Sequence, residues 1–391
     1  MELRPGTPEE AGFSSERIEL VKKRCRQWVD DGTHPSLCVL VARHGVIALH
    51  EAYGRLGPQP DAPPLELDSV FALASVTKTI TATAVMMLVE DGLVGLTRPV
   101  QEYVPDFSGD GKDLVCVHHL LTHTSGIRTE EDVAFILSNW DSSTDISPPD
   151  EDVDPIVHKQ LVLGGRAPLA KRPGEEMAYA NGNYVTLGEI VRVVTGCSLA
   201  DFARNRIFVP LGMHDAAYIV RDDAVPRVVV APPEWAALPD VAEFFRAVTA
   251  PAAAAHSTAM DLAVFGQTFL NGGTYRDARL ISRSTIAEMT RNQIPGVSAT
   301  FGAQHWNEAS WGYGWTVASS EKWPGYPTFP TGTFNHGGAG GGVGTLVWVD
   351  PSHDLVGVFL SVARAEIVET TLIELEFCAD LFVNAVYAAV D

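Results

Sequence analysis

The chain has 391 residues, of which 28 are Lys or Arg and 49 are Asp or Glu, and its formal net charge at pH 7 is −21. A surface this acidic repels phosphate backbones and anionic lipid headgroups, which argues against a nucleic-acid partner and against a polybasic membrane anchor. The length favours two or three domains and allows a large core without disulfides or structural metal ions.

Cysteine usage and the N-terminal sequence predict a cytoplasmic protein. The five cysteines are scattered and form no Cys-x-x-Cys pair, which is typical of free thiols in a reducing compartment. The first 25 residues contain no apolar segment of the kind found in a secretory signal, and no run of about 18 uncharged apolar residues occurs in the sequence. The cysteines are Cys25, Cys38, Cys116, Cys197 and Cys378.

The first predicted elements are an amphipathic helix and two strands. Apolar residues recur at helical spacing over Ser14–Asp30, and Ser36–Ala42 and Val46–Ala52 are apolar runs joined by the turn Arg43-His44-Gly45. The sequence therefore predicts a helix followed by an antiparallel strand pair. The apolar face of the helix consists of Ile18, Val21, Cys25 and Val29.

The rest of the chain is helical in the middle and returns to strands near its end. From about Ser75 to Leu270 the pattern is mostly helical, with breaks rich in Pro, Gly and Asp. Thr345–Val349 and Leu355–Val362 are predicted strands, and an apolar-periodic helix is predicted from about Ile367 to Ala388.

This order of elements predicts an α+β fold. Because strands lie at both ends and helices between them, we expect an antiparallel sheet built from both termini, flanked by helices, with an inserted helical domain. The predicted sheet domain is discontinuous, with residues 1–70 plus 275–391, and the helical domain spans 71–274. Cap-like loops are predicted at 129–160 and 220–256; Thr129–Asp154 has nine acidic residues and no Lys or Arg, which favours a solvated segment.

The pattern Ser-x-x-Lys occurs at Ser75–Lys78 and at Ser319–Lys322, and chance alone accounts for one or two matches. Only Ser75 opens a predicted helix, which ends at Gly92. A Ser at a helix N-terminus lies near unpaired N–H groups that favour a developing negative charge. Lys78 lies nearly one turn later, and apolar surroundings lower a Lys pKa, so its amine can act as a base near neutral pH. On local sequence alone, a Ser N-cap beside a snorkelling Lys is the preferred interpretation.

Two further segments carry polar groups that suit a cleft. Tyr179-Ala180-Asn181 follows the turn Pro173-Gly174 and precedes a helix-like run, so the Tyr hydroxyl and the Asn amide can point the same way. His336-Gly337-Gly338-Ala339 precedes a strand, and its glycines allow a backbone N–H to approach a reacting group. Taken singly, a packed Tyr and a turn Asn are the preferred interpretation of the first segment.

Neither a metal nor an organic cofactor is expected. His118, His119 and His123 have spacing that permits a metal site, but no carboxylate or Cys accompanies them locally, so packed or capping histidines are the preferred interpretation. The Gly-rich run 337–344 does not fit the dinucleotide pattern G-x-G-x-x-G.

Three segments in the same order resemble the serine β-lactamase/penicillin-binding-protein superfamily, in its class C β-lactamase-like branch that includes family VIII-type carboxylesterases. They are VFALASVTKTITATAVMMLVEDGLVGL with HHLLTHTSGI, RPGEEMAYANGNYVTLGEIVRVVTG, and FNHGGAGGGVGTLVWVDP. The resemblance implies a β-lactamase/transpeptidase-like fold and a two-step acyl transfer.

The resemblance also implies a role for each matched residue. Ser75 is the implied nucleophile, Lys78 its neighbouring base, Tyr179 a second proton-transfer group and Asn181 a polar orienting group. The implied oxyanion hole consists of the N–H groups of Ser75 and Ala339. Whether Lys78 or Tyr179 takes the first proton stays open.

One departure from the family pattern indicates the substrate class. Where β-lactamases and D-peptidases have Lys-Thr-Gly, this chain has His336-Gly337-Gly338. A His that is neutral at pH 7 to 8 offers no permanent cation to a substrate carboxylate. We therefore expect hydrolysis of a small neutral carboxylic ester. A β-lactamase, a D-amino-acid amidase or peptidase, an acyltransferase and a catalytically silent scaffold remain alternatives.

Aromatic residues are concentrated in segments rich in Gly, Pro or Ala. They predict either ordinary packing under long loops or a hydrophobic pocket for the acyl or alcohol group near Ser75. The residues are Trp235, Phe244, Phe245, Trp306, Trp311, Trp315 and Trp323.

Overall fold

The computed structural model describes residues 1–150, 153–232, 235, 248–301, 304–320, 328–363, 365–368, 372–375 and 378–391. The strands are β1 Arg4–Pro5, β2 Ser36–Arg43, β3 Val46–Gly54, β4 Phe71–Ala72, β5 Glu176–Ala178, β6 His256–Ser257, β7 Thr274–Tyr275, β8 Ala278–Arg279, β9 Ser298–Phe301, β10 Gln304–Trp306, β11 Thr316–Val317, β12 Phe334–Gly340, β13 Val343–Asp350, β14 Leu355–Val362, β15 Ala365–Val368 and β16 Leu372–Leu375. The α-helices are α1 Ser15–Asp30, α2 Thr77–Glu90, α3 Val117–Leu121, α4 Thr129–Asn139, α5 Pro155–Arg166, α6 Asn181–Thr195, α7 Leu199–Ala203, α8 Val209–Leu211, α9 Ala259–Leu270, α10 Arg283–Met289 and α11 Ala379–Tyr387.

The main sheet has the strand order β1-β3-β2-β14-β13-β12-β11. Its long strands pair antiparallel, and β2 from the start of the chain pairs with β14 from its end over Ser36–Arg43 and Leu355–Val362. Short strands of the helical part form a separate sheet in the order β10-β9-β5 and the pair β4-β6. The prediction of an antiparallel sheet built from both termini is confirmed.

Both faces of this sheet are buried, which is why its strands are almost continuously apolar. Side chains alternate between faces along a strand. In β2, Leu37, Val39 and Val41 pack in one cluster with α1 and α11. Cys38 and Leu40 pack in a second cluster with α2 and α9. The sheet is therefore the layer between two helical layers.

The N-terminal helix follows its sequence pattern closely. Ser14 caps α1 by accepting a hydrogen bond from the N–H of Arg17, as its position before the apolar-periodic run predicts. Ile18, Val21 and Cys25 are buried as expected. The fourth buried residue is Trp28 rather than the predicted Val29, because Trp28 lies three residues after Cys25 on the same face.

Two predicted segments differ from the structure. The prediction of a cap-like loop at 129–160 is wrong because α4 and the first half of α5 lie there. Acidic residues in the first turn of α4 interact favourably with its N-terminal dipole, and Asp154 with Pro155 makes a strong N-terminus for α5. Of the second predicted cap, residues 233, 234 and 236–247 lie outside the described range, and 225–227 form a short 3-10 helix.

The predicted C-terminal helix begins later than expected. Ala365–Val368 and Leu372–Leu375 form an antiparallel strand pair, and the helix is limited to Ala379–Tyr387. β-branched residues such as Ile367 and Val368 favour strands, and this preference prevailed over the helical spacing. Among the described helices, none has both the length and the apolar character needed to cross a membrane.

Candidate active site

Ser75 lies in a 3-10 turn, Ala74–Val76, that leads directly into α2. The preceding residue, Ala74, has φ +45°, a left-handed conformation that is uncommon for a residue other than glycine. Ser75 is half-buried. Gly92, with φ +73°, follows the end of α2 as predicted.

The Lys78 ammonium group is 0% exposed and lies beside Ser75. Its Nζ donates a hydrogen bond to Ser75 Oγ at 3.0 Å and another to the carbonyl oxygen of Ala252 at 2.8 Å. Burial disfavours the charged form and lowers the pKa of Lys78 to about 7. A neutral amine is therefore accessible to Lys78 near pH 7, within hydrogen-bonding distance of Ser75 Oγ, and its role as the base stays a prediction.

Tyr179 covers Lys78 from the other side. It follows β5 and lies immediately before the N-terminus of α6, and its ring centroid is 4.9 Å from Lys78 Nζ. The ring packs against His123 with centroids 4.3 Å apart. The structure thus brings together Ser75, Lys78 and Tyr179, which the sequence predicted as one catalytic group.

A buried hydrogen-bonded network lies behind Tyr179. Ser125 Oγ donates to Asn183 Oδ1 at 2.7 Å, and Asn183 Nδ2 lies 3.2 Å from His123 Nδ1, which also accepts from the N–H of Ala180. Burial and the nearby Lys78 hold the pKa of His123 well below its usual value. Because its Nδ1 accepts a backbone N–H, the neutral ring carries its proton on Nε2. This network fixes the position of the segment that contains Tyr179.

Strand β12 runs alongside the nucleophile turn. A Cβ added at Gly338 would lie 3.0 Å from the backbone nitrogen of Ser75 and would overlap the Leu73 carbonyl and the Thr345 side chain. Thr345 Oγ1 donates to that Leu73 carbonyl at 2.8 Å, which ties β13 to the same turn. Only glycine fits at position 338, as the predicted close backbone approach requires. The oxyanion role of Ala339, the next residue, stays a prediction.

His336 lies on β12 and is 2% exposed. Burial, together with the nearby Lys78, lowers its pKa to about 3, so the ring is neutral at physiological pH. Its Nδ1 lies 2.7 Å from the carbonyl oxygen of Gly337 and must therefore be the donor. Nε2 is left as an acceptor and has no partner among the described residues. His336 also packs edge-on against Trp311, with centroids 5.7 Å apart.

Asn181 lies apart from the other predicted groups. It is the first residue of α6, its side chain is exposed, and it lines a cavity on the side of Tyr179 that also contains Thr129 and Asp132. No hydrogen bond of its side chain is recorded within the described part of the chain. Its role as an orienting group stays a prediction.

The aromatic residues divide between the cleft and the core. Trp311 packs against Tyr179, and Trp306 belongs to the same small cluster. Trp315 is fully buried against Phe265 and Phe269 in the main core, so ordinary packing explains it. Trp235 lines a different cavity, beside Pro35 and Val362. Phe244, Phe245 and Trp323 lie outside the described residues, as does Lys322 of the second Ser-x-x-Lys pattern.

The three histidines considered as metal ligands have separate partners. His118 Nδ1 lies 3.0 Å from the Tyr313 hydroxyl, whereas His119 Nδ1 accepts the N–H of Cys116 at 3.0 Å. His123 packs against Tyr179 instead. Within the described ranges, no group of three or more His, Cys, Asp or Glu side chains is arranged to hold a metal ion.

Sequence reasoning did not assign site roles to Asn183 or Ala252, and it considered His123 only as a metal ligand. His123 and Ser125 are in the segment THTSGI, and Asn183 is two residues after Asn181. Their closeness to the matched motifs is the sequence feature that could have identified them as site residues. Ala252 contributes only its carbonyl oxygen, and backbone groups leave no side-chain signature in a sequence.

The β-lactamase family model matches residues 21–370. Penicillin-binding protein 4 from Amycolatopsis lactamdurans is 29% identical over 308 residues, which cover 75% of this chain and 72% of that protein. Esterase EstB from Burkholderia gladioli is 37% identical over 186 residues, which cover 46% of each chain.

Solved structures share the fold over nearly the whole chain. A penicillin-binding protein homologue from Caulobacter crescentus has a TM-score of 0.73 at 22% identity, covering 97% of this chain and 99% of that one. EstCE1, a hydrolase with promiscuous acyltransferase activity, has a TM-score of 0.71 at 20% identity, covering 96% and 98%. The predicted β-lactamase/transpeptidase-like fold is confirmed.

Proposed function

This chain belongs to the β-lactamase family, and on that premise we propose that it cleaves small neutral carboxylic esters through an acyl-enzyme on Ser75. It is a serine hydrolase of the β-lactamase fold; the proposal concerns its substrate, its nucleophile and its proton relay. The observation that carries the proposal is the 3.0 Å hydrogen bond from the buried Lys78 Nζ to Ser75 Oγ.

In the proposed first step, Ser75 Oγ attacks the ester carbonyl and gives up its proton to the Lys78–Tyr179 pair. The oxygen of the tetrahedral intermediate becomes negative and accepts hydrogen bonds from the N–H groups of Ser75 and Ala339. The intermediate collapses with cleavage of the bond to the alcohol oxygen, and that oxygen takes the proton held by the relay. The alcohol leaves, and the acyl group remains on Ser75 as an ester.

In the second step, water replaces the alcohol. The Lys78–Tyr179 pair accepts a proton from the water as it attacks the acyl-Ser75 carbonyl, and the proton returns to Ser75 Oγ when the second intermediate collapses. The carboxylic acid is released and the enzyme is restored. Lys78 Nζ lies 4.9 Å from the centroid of the Tyr179 ring, so both groups are close enough to serve one proton relay.

The surroundings of His336 favour a neutral substrate. The ring is buried and uncharged, and its second nitrogen is a hydrogen-bond acceptor, so it offers neither charge nor a proton to a carboxylate. A charge-assisted hydrogen bond is worth about 1.5–3 kcal/mol, or roughly 10- to 100-fold in binding. The carboxylate of a β-lactam or peptide lacks this charge-assisted hydrogen bond at His336. A neutral ester has no carboxylate that needs such a partner.

The experiment compares esters with a β-lactam on the same enzyme. kcat/KM is measured at about pH 8 for p-nitrophenyl esters of increasing acyl length and for a chromogenic cephalosporin, with Ser75→Ala giving the background. We expect kcat/KM for the best ester to exceed kcat/KM for the cephalosporin by at least about 10- to 100-fold. This factor is the contribution to binding that the missing carboxylate interaction would make. A cephalosporin kcat/KM equal to that of the best ester would overturn the proposal in favour of a β-lactamase or peptidase.

A further inference from the structure

A cavity of about 130 Å³ lies behind the Tyr179–Asn181 segment, between α4, α5 and the start of α6. Its walls are largely apolar, so a ligand group that enters it leaves bulk water. The apolar wall residues are Phe107, Ile127, Val133, Ile136, Leu161 and Val185.

One carboxylate lines this apolar cavity. Asp132, on α4, is 8% exposed, and its Oδ1 is buried with no hydrogen-bond partner among the described residues. Buried carboxylate oxygens are normally satisfied, because an unpartnered one loses its hydration without compensation. An unsatisfied oxygen in a cavity wall therefore points to a ligand that supplies the missing donor.

The backbone around Asp132 leaves space at its carboxylate. A Cβ added at Gly182 would lie 3.0 Å from Oδ2, and one added at Gly164 would lie 3.3 Å from Oδ1. Side chains at these two positions would crowd the oxygens on both sides. The glycines thus keep the carboxylate accessible from within the cavity.

The nearby cation does not satisfy this carboxylate directly. Lys112 is fully buried, donates a hydrogen bond to the Gly164 carbonyl oxygen at 3.0 Å and lies over the Phe107 ring. It forms no ion pair with Asp132 within the described part of the chain, although its charge counteracts the upward shift that burial causes in the pKa of Asp132. Burial still raises the pKa of Asp132 above its usual value, and Lys112 opposes that shift without occupying the hydrogen-bonding sites of the carboxylate.

The cavity adjoins the chain segment that carries Tyr179. Thr129, in the cavity wall, donates a hydrogen bond to the Tyr179 carbonyl oxygen at 2.9 Å, and Asn181 lines the cavity two residues after Tyr179. The ring of Tyr179 in turn covers Lys78.

We propose that this cavity binds a primary ammonium group on the acyl chain of the substrate, with Asp132 as its carboxylate partner. The inference rests on the proposed function and deepens it, because it names the class of ester: a short amino-acyl ester whose leaving alcohol is unspecified. The ammonium N–H groups supply the donors that Asp132 lacks, and the apolar walls enclose the methylene groups of the chain.

The test uses pairs of p-nitrophenyl esters that differ by an ammonium group in place of a terminal methyl group. The pairs are 3-aminopropanoate with butanoate and 6-aminohexanoate with heptanoate, at about pH 7.5. For at least one pair we expect the wild type to favour the amino ester about 10-fold or more in kcat/KM. Asp132→Asn should lower that preference by about 10- to 100-fold, because the amide is neutral and nearly the same size.

Glu131→Gln is the matched control. It removes the same charge from the neighbouring residue of α4, whose side chain is exposed to solvent, and should leave the preference for the amino ester unchanged. Equal preferences in wild type and Asp132→Asn, or no preference in the wild type for either pair, would overturn the inference. Turnover of the butanoate ester itself reports on the proposed function, so the two failures are distinguishable.

A binding measurement keeps the inference testable without turnover. Calorimetric titration with n-butylammonium chloride should show binding to the wild type and to Glu131→Gln. The affinity of Asp132→Asn should be about 10-fold weaker or more. Equal affinity in all three proteins would contradict an ammonium site at Asp132, whatever reaction Ser75 performs.

Discussion

The seven-stranded sheet and the catalytic cleft are built in different ways. Side chains alternate between the two faces along each long strand of the sheet, so successive residues of β2 pack toward α1 and toward α9 in turn. The cleft instead joins short segments that are far apart in the chain. Ser75, Tyr179, Ala252 and His336 come from four separate segments, and each contributes one or two groups.

This difference indicates that one set of residues determines the stability of the fold and another set determines the rate of the reaction. In the sheet, a side chain is held by many apolar neighbours, and its removal lowers the free energy of unfolding. In the cleft, Lys78 carries a desolvation cost, and among the described residues two hydrogen bonds and two aromatic contacts compensate for it. Substitutions in the cleft should therefore change rates more than stability, and substitutions in the core should do the reverse.

The largest effect is expected from Lys78 and Tyr179. Lys78→Met, which preserves much of the side-chain volume, and Tyr179→Phe should each lower the rate of acylation by about 10²-fold or more. The double variant should lose far less than the product of the two losses, because both groups serve one proton relay. Single-turnover kinetics with an ester would measure this, and additive losses would mean that the two residues act independently.

The pH dependence of the reaction should follow Lys78. Because burial lowers its pKa to about 7, the amine is protonated and inactive as a base below that pH. kcat/KM for a neutral ester should rise with pH and level off above about pH 8, with about a tenth of the plateau value near pH 6. His336, with a pKa of about 3, adds no inflection in this range. A profile that stays flat from about pH 5.5 to 8 would exclude a base with a pKa near 7.

We expect the smallest effect on rate from a substitution of Trp315, which lies in the core, and a larger effect on rate from a substitution of Trp311, which lies in the cleft. Trp315→Ala removes a fully buried ring from the core and should lower the free energy of unfolding by about 3–5 kcal/mol with little change in kcat for the folded protein. Trp311→Phe keeps an aromatic ring in place but alters the contact with Tyr179 and His336, so it should change kcat/KM more than stability. Urea unfolding and ester kinetics on both variants would test this expectation. A larger rate change in Trp315→Ala together with a larger loss of stability in Trp311→Phe would contradict it.

The sequence predicted most of the sheet because each strand carries the necessary information locally. Leu355–Val362 has the predicted bounds, and the pairing of strands from both termini is as expected. Ser75, Lys78, Tyr179 and Gly338 were found through three motifs, and the structure brings them into one cleft.

The errors have physical causes that a local pattern does not contain. The acidic segment that begins at Thr129 forms α4 because its charges suit a helix N-terminus and its inner face packs on α5 and α6. Strands β15 and β16 lie where the N-terminal part of the last helix was predicted, because the two segments pair with each other, and the spacing within one segment does not contain that pairing. Asn181, at the start of α6, lines the cavity of Asp132, and its role beside Tyr179 stays a prediction.

The most direct test of the account is to identify the residue that carries the acyl group. The enzyme is quenched with acid during turnover of a p-nitrophenyl ester, or labelled with a fluorophosphonate, and the modified peptide is identified by mass spectrometry. The account predicts modification at Ser75 in the wild type and in Ser319→Ala, and none in Ser75→Ala. Modification of any other residue, or continued ester turnover by Ser75→Ala at the wild-type rate, would contradict it.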